Sequence, residues 1–272
     1  MTQVIEVNSF KIPIVGLGTW ALRGRECARL TEQAIRLGYR HIDTAQMYDN
    51  EAEVGEGVRA TGLRDQVMVT TKVQPTLLAP ADLERSVKQS LVKLRFDVVD
   101  LLLIHWPNPR VPLSETLGAM AKMKREGYVR QIGVSNFTVA LLAEANKVTT
   151  EPLVCNQVEC HPFLDQDKVI AACRKAGMAV VAYSPIARGG ATGNEVLERI
   201  GKAHGKSAAQ VSLRWLTQQG IVVIPRTSKI ERLEENFNIL DFKLSDAEMK
   251  EIAGLARGGG RIVDWTWSPK WD

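Results

Sequence analysis

The sequence alternates between short apolar runs typical of buried β-strands and longer segments with the periodicity of amphipathic helices. The run Val98–His105 is almost continuously apolar, whereas Glu26–Leu37 carries apolar residues at helical spacing and stops at Gly38. After an N-terminal β-hairpin we count eight strand signals, each followed by a helix. Such alternation implies parallel strands with right-handed crossovers. Eight units in 272 residues predict an α/β fold, a (β/α)8 TIM barrel with an N-terminal β-hairpin and extra helices.

The boundaries of the elements follow from glycine, proline and capping signals. The predicted strands are Val4–Val7 and Lys11–Ile14 (the hairpin), Val15–Trp20, a strand that ends at Asp43, Gln66–Val73, Val98–His105, Gln131–Asn136, Leu153–Glu159, Ala179–Ser184 and Ile221–Pro225. The predicted helices are Glu26–Leu37, Glu51–Ala60, Pro80–Leu94, Leu113–Arg125, Thr138–Lys147, Asp167–Ala176, Asn194–His204, Ser207–Gln219, Ile230–Ile239 and Ser245–Ala256.

An open, doubly wound sheet is the alternative fold. Its first turn would more naturally carry the full GxGxxG fingerprint, and the stretch around Gly16 and Gly18 lacks that spacing. These glycines have two interpretations, close packing of backbone or close approach of a ligand to the main chain. Because no linker-like or low-complexity segment interrupts the chain, we predict one domain.

Composition excludes several classes of function. The net charge of +4 comes without a basic run, which argues against nucleic acid as a partner and is compatible with an anionic small molecule. The four cysteines show no zinc spacing, so we expect buried thiols, no metal site and a reduced cytoplasmic protein. The N-terminus does not have the pattern of a signal peptide, and no apolar run approaches membrane-spanning length.

Four polar side chains stand at the ends of three successive predicted strands. Asp43 ends one strand and Tyr48 lies in the loop after it, Lys72 is near the end of the next strand, and His105 ends the third. Taken singly, each residue is more often a surface or satisfied core group. Because the C-terminal ends of parallel strands share one rim of a barrel, we expect the four to meet there. The same rim is predicted to carry Trp20, Ser135, Asn136, Gln157, Tyr183 and Arg226.

The motifs at these strand ends resemble those of the aldo-keto reductase superfamily over essentially the whole chain. The motifs are Gly16-Leu17-Gly18-Thr19-Trp20, Ile42-Asp43-Thr44-Ala45 with Tyr48, Thr71-Lys72, Ile104-His105-Trp106-Pro107, Gly133-Val134-Ser135-Asn136-Phe137, Asn156-Gln157, Tyr183-Ser184-Pro185 and Ile224-Pro225-Arg226-Thr227. The stretch Asp43–Glu51 and the terminal Trp271-Asp272 are most similar to short bacterial members such as 2,5-diketo-D-gluconate reductases. The resemblance implies that residues 1–272 form a single aldo-keto reductase-type (β/α)8 barrel domain.

The resemblance also implies catalytic roles for Asp43, Tyr48, Lys72 and His105. Reduction of a carbonyl needs a hydride at carbon and a proton at oxygen, and a free phenol with a pKa of ~10 is a weak acid at neutral pH. We expect Lys72 to lower the pKa of Tyr48, Asp43 to hold the lysine, and His105 to orient the carbonyl oxygen. Trp20 and Trp106 would wall the substrate pocket together with Tyr48 and His105.

The hydride must come from a cofactor, since no amino acid supplies one. The resemblance implies NADPH/NADP+, with Ser135, Asn136 and Gln157 on the carboxamide, Tyr183 against the nicotinamide ring and Ser184 near the pyrophosphate. The remaining cofactor-binding positions implied are Gly18, Thr19, Trp20, Asp43, Arg226, Thr227, Arg232, Glu235 and Asn236. Related reductases commonly have Lys-Ser where this chain has Arg226-Thr227, which keeps the charge and the hydroxyl.

The predicted function is therefore that of an NADPH-dependent oxidoreductase, acting on a small carbonyl substrate, with no membrane or nucleic-acid partner and a monomeric state implied by the family. Candidate substrates are aldehydes, methylglyoxal, α-ketoesters and keto-sugars such as 2,5-diketogluconate. One alternative is a non-catalytic NADP-binding barrel with a regulatory or structural role. Another is an isomerase or aldolase with Lys72 as a Schiff-base amine, which is disfavoured because an acid and a phenol beside the lysine keep it charged.

The C-terminal tail has two interpretations. It contains Gly258-Gly259-Gly260 and the tryptophans Trp265, Trp267 and Trp271. The tryptophans either pack the tail permanently on the barrel, or part of the tail borders the substrate pocket.

Overall fold

The computed structural model describes residues 3–272 and begins with a β-hairpin. Strand β1 (Val4–Val7) pairs antiparallel with β2 (Phe10–Pro13). The two residues between them, Asn8 and Ser9, both have positive φ, as a turn requires when it follows the right-handed twist of its strands. The predicted hairpin is confirmed, with its second strand one residue earlier than predicted.

Eight parallel strands then form one sheet in which each strand pairs with the next along the chain. They are β3 (Leu17–Gly18), β4 (His41–Asp43), β5 (Met68–Val73), β6 (Val99–Ile104), β7 (Val129–Ser135), β8 (Leu153–Glu159), β9 (Ala179–Tyr183) and β10 (Val222–Val223). The first and last strands meet, since the Gly16 amide donates to the Val223 carbonyl at 2.8 Å and the Val223 amide to the Ile14 carbonyl at 2.9 Å. The sheet thus closes on itself and the predicted barrel is confirmed, not the open sheet.

Ten α-helices accompany the strands within residues 3–272. They are α1 (Gly24–Leu37), α2 (Glu51–Ala60), α3 (Pro80–Leu94), α4 (Leu113–Arg125), α5 (Val139–Val148), α6 (Asp167–Lys175), α7 (Glu195–His204), α8 (Ala208–Gln218), α9 (Ile230–Phe237) and α10 (Asp246–Ala253). Two helices lie between β9 and β10 and two follow β10, so the predicted extra helices are present. None of the helices in the described part of the chain is long and apolar enough to span a membrane.

Some predicted ends are wrong for identifiable reasons. Ser207 and Ser245, predicted as first helical residues, are N-caps, and each forms a capping box with the residue three positions later. Strand β10 is shorter than the predicted Ile221–Pro225, because Pro225 has no amide hydrogen with which to continue the ladder. Its carbonyl instead accepts a hydrogen bond from the Gly18 amide at 3.1 Å.

The apolar core has two layers that the strands separate. In β6, Leu101 and Leu103 face the barrel interior, whereas Leu102 and Ile104 pack against the surrounding helices. Val7 and Ile12 of the hairpin join the inner cluster. The four cysteines are free and buried, as predicted.

Backbone packing explains the glycines at the start of the barrel. A Cβ on Gly16 would lie 2.7 Å from His41 Nδ1, and one on Gly18 would lie 2.7 Å from the Ile224 carbonyl oxygen. Both distances are too short for any side chain. Of the two interpretations, close packing therefore accounts for both glycines, although Gly18 also borders the cavity described below.

Candidate active site

The strand ends bring the four predicted catalytic residues together. Asp43 is the last residue of β4, Lys72 lies one residue before the end of β5, and His105 directly follows β6. Tyr48 comes from a short 3-10 helix, Gln46–Tyr48, that begins three residues after Asp43. Register places these groups side by side, because β4, β5 and β6 are parallel neighbours in the sheet.

A buried ion pair forms the floor of the site. Lys72 Nζ donates to Asp43 Oδ1 at 2.5 Å and to the Thr44 carbonyl at 2.8 Å, and the Lys72 side chain is 0% exposed. The other carboxylate oxygen of Asp43 accepts from Gln157 Nε2 at 2.7 Å. Burial lowers the pKa of Lys72 from its ordinary value, and the Asp43 carboxylate opposes that shift. Both oxygens of Asp43 are thus occupied, and the lysine is fixed in one position.

Tyr48 lies directly above this pair. Its hydroxyl oxygen is 3.4 Å from Lys72 Nζ, and the ammonium lies 4.8 Å from the centre of its ring. The ring is half-buried and forms part of the cavity wall, yet its surroundings raise the pKa of Tyr48 well above 10. Burial is the main cause and the Asp43 carboxylate adds to it. The expected net lowering of this pKa is therefore wrong for this structure, because burial, together with the Asp43 carboxylate, disfavours the phenolate.

His105 lies on the other side of the Tyr48 ring, at the same part of the cavity. Its ring meets that of Tyr48 edge to face, with centroids 5.5 Å apart. Burial, and secondarily the charge of Lys72, holds the pKa of His105 well below 6.5. Its Nδ1 atom is buried without a hydrogen-bond partner in residues 3–272. A neutral imidazole beside a protonated phenol is the resulting arrangement.

A second polar network follows around the rim. Asn136, with φ of 64°, donates through its amide to the His105 carbonyl at 2.9 Å and to Ser135 Oγ at 3.1 Å. Its carbonyl oxygen accepts from the Tyr183 hydroxyl at 2.8 Å. These bonds fix the half-buried ring of Tyr183 between β9 and the site, and Ser184 follows it with φ of 50°.

These groups open into one cavity of about 710 Å³. Trp106 is buried in its wall, whereas Trp20 is 50% exposed at its mouth. The side chains or backbone that line it belong to Gly18, Trp20, Asp43, Met47, Tyr48, His105, Trp106, Ser135, Asn136, Gln157, Tyr183, Ser184, Pro185, Ile186, Arg188, Gly189, Ile224, Arg226, Thr227, Ser228, Lys229, Arg232, Val263, Trp265 and Trp267.

One part of the cavity wall is basic. Arg226, Lys229 and Arg232 line it around the beginning of α9. The Thr227 hydroxyl accepts a hydrogen bond from the Lys229 amide at 3.0 Å, which stabilises the turn before α9. No side chain caps the amides at the start of α9. A second cavity of about 560 Å³ shares Arg232 and is bordered by Glu235.

Four predicted cofactor or catalytic residues, Thr19, Lys72, Glu235 and Asn236, do not line the main cavity. Lys72 lies beneath its floor, and Thr19 lies beside Asp43, to whose carbonyl its hydroxyl donates at 2.9 Å. Asn236 is buried in α9 and reaches neither cavity. Glu235 lies at the second cavity, and the others line the main one.

Several lining residues were not predicted from sequence. Arg188 stacks its guanidinium over the Trp20 ring at 4.8 Å, across the mouth of the cavity. Nothing in the sequence signals this contact, because both residues lie in irregular loops. The tail contributes Val263, Trp265 and Trp267 to the lining, so part of it borders this cavity, and its role at the substrate stays a prediction.

Comparison with known proteins agrees with this geometry. The model of the Aldo/keto reductase family matches residues 14–257. "Methylglyoxal reductase DkgB" of Escherichia coli O157:H7 is 40% identical over 265 residues, which cover 96% of this chain and 99% of that protein. "Glyoxal reductase" of Bacillus subtilis (strain 168) is 39% identical over 250 residues, covering 91% of this chain and 90% of that one.

A solved structure extends the similarity to three dimensions. It is provisionally described as a 2,5-diketo-D-gluconic acid reductase B and superposes with a TM-score of 0.98 at 45% identity, covering 100% of this chain and 98% of the other. Fold, catalytic rim and sequence similarity agree along the chain, which belongs to the aldo-keto reductase family.

Proposed function

We propose that this protein is an NADPH-dependent carbonyl reductase in which Tyr48 protonates the carbonyl oxygen. The observation that carries the proposal is the convergence of the Tyr48 hydroxyl, the Lys72 ammonium and the His105 ring at the floor of one cavity. Methylglyoxal reductase and glyoxal reductase among the relatives support small aldehydes and ketoaldehydes as substrates. The wider candidates are α-ketoesters and keto-sugars such as 2,5-diketogluconate.

The donor set fits a nicotinamide dinucleotide phosphate. Ser135 and Gln157 border the cavity beside the Tyr183 ring, and no hydrogen bond among residues 3–272 uses Gln157 Oε1. A carboxamide could donate to that oxygen. Arg226, Lys229 and Arg232 supply positive charge where the phosphates would lie, and the uncapped amides of α9 add to it. A bound NADPH would supply the hydride for the carbonyl carbon.

The protein's own groups handle the proton. Tyr48 donates its hydroxyl proton to the carbonyl oxygen, which converts the carbonyl to an alcohol once the carbon has received a hydride. The Lys72 Nζ, 3.4 Å away, can donate a hydrogen bond to the oxygen that has given up its proton, until solvent returns a proton to it. His105, held neutral by burial, can donate a hydrogen bond to the same oxygen without competing as an acid.

The same geometry bears on the two alternative functions. A Schiff-base mechanism needs an amine that a substrate can reach, but Lys72 Nζ is buried in its ion pair under Tyr48. A non-catalytic NADP-binding barrel would need only the cofactor residues. The four catalytic positions are nevertheless filled and in mutual contact.

Turnover tests the proposal directly. Purified protein is given methylglyoxal, a simple aldehyde, an α-ketoester and a keto-sugar, each with NADPH and with NADH, and loss of cofactor absorbance is followed. We expect turnover with NADPH that falls by at least ~100-fold in Tyr48→Phe. Tight binding of NADPH without turnover of any carbonyl would favour the non-catalytic barrel.

A further inference from the structure

Two backbone amides of the tail are held by one buried carboxylate. Glu159, the last residue of β8, is 0% exposed. One of its oxygens accepts from the Ile262 amide at 2.7 Å and the other from the Val263 amide at 2.8 Å. Charge-assisted hydrogen bonds of this kind are among the strongest that a backbone amide makes.

A histidine completes the arrangement. His161 Nε2 lies 2.9 Å from Glu159 Oε1, and both side chains are fully buried. Burial by itself raises the pKa of Glu159, but the hydrogen bonds from His161 and from the tail amides hold it below its ordinary value. A carboxylate withdrawn from water in this way requires its partners, and two of its three come from the tail.

The attachment of Ile262 and Val263 to Glu159, here called the anchor, lies next to the segment that borders the cavity. Val263 itself lines the cavity, and Trp265 and Trp267 follow it at once. Trp267 is braced edge to face on Trp106, with ring centroids 5.1 Å apart. Trp265 and Trp267 are half exposed, so the bonds of Ile262 and Val263 to Glu159 are the buried polar attachment that lies next to them along the chain.

The same strand, β8, also contacts the Asp43–Lys72 pair at the bottom of the cavity. Gln157 and Glu159 are two residues apart in β8 and so project to the same face of the strand. Gln157 donates to Asp43, and Glu159 accepts from the tail. One rigid, buried strand thus sets the positions of both the proton-transfer residues and the wall opposite them.

We propose that Glu159 is a positioning residue for substrate selection. Its carboxylate fixes Val263 and thereby places Trp265 and Trp267 as a wall of the substrate space. This role rests on the proposed carbonyl reductase function and adds to it, since Glu159 contacts neither the cavity nor the four catalytic side chains. Bulky carbonyl substrates, which reach this wall, depend on Glu159 more than methylglyoxal does.

The test uses the full-length protein with Glu159→Gln, in which one acceptor oxygen becomes an amide nitrogen. Glu115→Gln, an exposed change on α4, is the matched control. Loss of one charged hydrogen bond corresponds to roughly a tenfold change in an equilibrium constant. We expect a KM increase of roughly that size for a bulky aromatic aldehyde, with kcat and the Kd of NADPH unchanged and the KM for methylglyoxal little affected.

A double-mutant cycle separates this role from a general effect on the barrel. Trp267→Ala removes part of the wall, so Glu159→Gln should alter KM much less in that background than in the wild type. Equal KM increases in both backgrounds, or a fall in kcat with KM constant, would overturn the proposal. Equal increases for bulky and small substrates would overturn it as well.

Measurements of the tail itself do not depend on turnover or on the variant's folding. In the wild-type protein we expect slow amide hydrogen exchange at Ile262 and Val263 compared with Thr266 and Lys270. Fast exchange at both positions would show that Glu159 does not hold the tail.

A wild-type protein without carbonyl turnover overturns the proposed function and the substrate role of Glu159 with it. Normal turnover with unchanged selectivity in Glu159→Gln overturns only the role of Glu159.

Discussion

The Tyr48 hydroxyl lies 3.4 Å from the Lys72 ammonium, yet the pKa of the phenol is raised rather than lowered. Lys72 is closer to Asp43, at 2.5 Å, so the pair presents little net positive charge to the ring. Burial then dominates, because it disfavours the phenolate. In the protein alone Tyr48 therefore keeps its proton, which is the state that a proton donor must occupy before the reaction.

Tyr48→Phe removes this proton and keeps the ring. We expect kcat to fall by at least ~100-fold, the range of general acid catalysis, because the Lys72 ammonium lies beneath the cavity floor and cannot take the place of the hydroxyl. The Kd of NADPH should stay nearly constant. Steady-state kinetics with methylglyoxal, together with a fluorescence titration of NADPH, measure both quantities. A phenylalanine variant with wild-type kcat would mean that another group is the acid.

The pH profile of reduction should be flat through neutral pH. Since the pKa of His105 is depressed and that of Tyr48 is elevated, neither group titrates between pH ~7 and pH ~9. Activity should fall only at higher pH, as Tyr48 loses its proton. The measurement is kcat/KM across this range in a constant-ionic-strength buffer. An inflection near neutral pH that disappears in His105→Gln would show that the imidazole titrates in the reaction.

Lys72→Met should destabilise the fold as well as slow catalysis. The methionine fills the space of the lysine stem but cannot pair with Asp43. The buried Asp43 carboxylate then keeps only its hydrogen bond from the uncharged Gln157 side chain. Breaking a buried pair from one side costs about 3–5 kcal/mol of unfolding free energy. Urea unfolding measures the loss. The double change Lys72→Met with Asp43→Asn should recover part of it, and additive losses would argue against the ion pair.

The burial of His41 should lower the free energy of unfolding at acid pH. Burial lowers its pKa to about 4, whereas the unfolded chain has its ordinary value near 6.5. Between these values the unfolded state binds more protons, so stability is full above pH ~6.5 and falls as the pH drops towards ~4. The difference corresponds to about 3 kcal/mol. Urea midpoints at neutral and acid pH measure it, and His41→Asn should flatten the slope. An unchanged slope in His41→Asn would contradict the prediction.

Arg226→Ala should weaken NADPH binding by about 2 kcal/mol, as for a charged hydrogen bond, and leave NADH nearly unaffected. The reason is that only NADPH carries a 2′-phosphate, which the guanidinium of Arg226, in the basic part of the cavity, would bind under the proposed function. Calorimetric titration at low and high salt gives the two affinities, and the preference should weaken at high salt. Arg29→Ala, an exposed change on α1, is the control. Equal losses for NADPH and NADH would mean that Arg226 supports the fold of the site, through its bond to the Trp20 carbonyl.

The sequence by itself determined the eight strand–helix units and the rim on which Asp43, Lys72 and His105 meet. Periodicity and strand ends are local properties, and parallel strands bring their C-terminal ends to one edge whatever the loops do. Helices such as α2 and α4 have the predicted limits, because Gly62 and Gly127, which follow them closely, adopt the positive φ that ends a helix.

Only the tertiary structure decided how the tail crosses the cavity and which way the pKa of Tyr48 shifts. Glu159 and Ile262 are 103 residues apart, and no pattern in either segment names the other as its partner. The pKa depends on burial and on the nearby Asp43 carboxylate, and both are set only once the barrel has closed. Pairing across long sequence distances and exclusion of water are properties of the folded protein, which is why the strand pattern could give the rim but not its electrostatics.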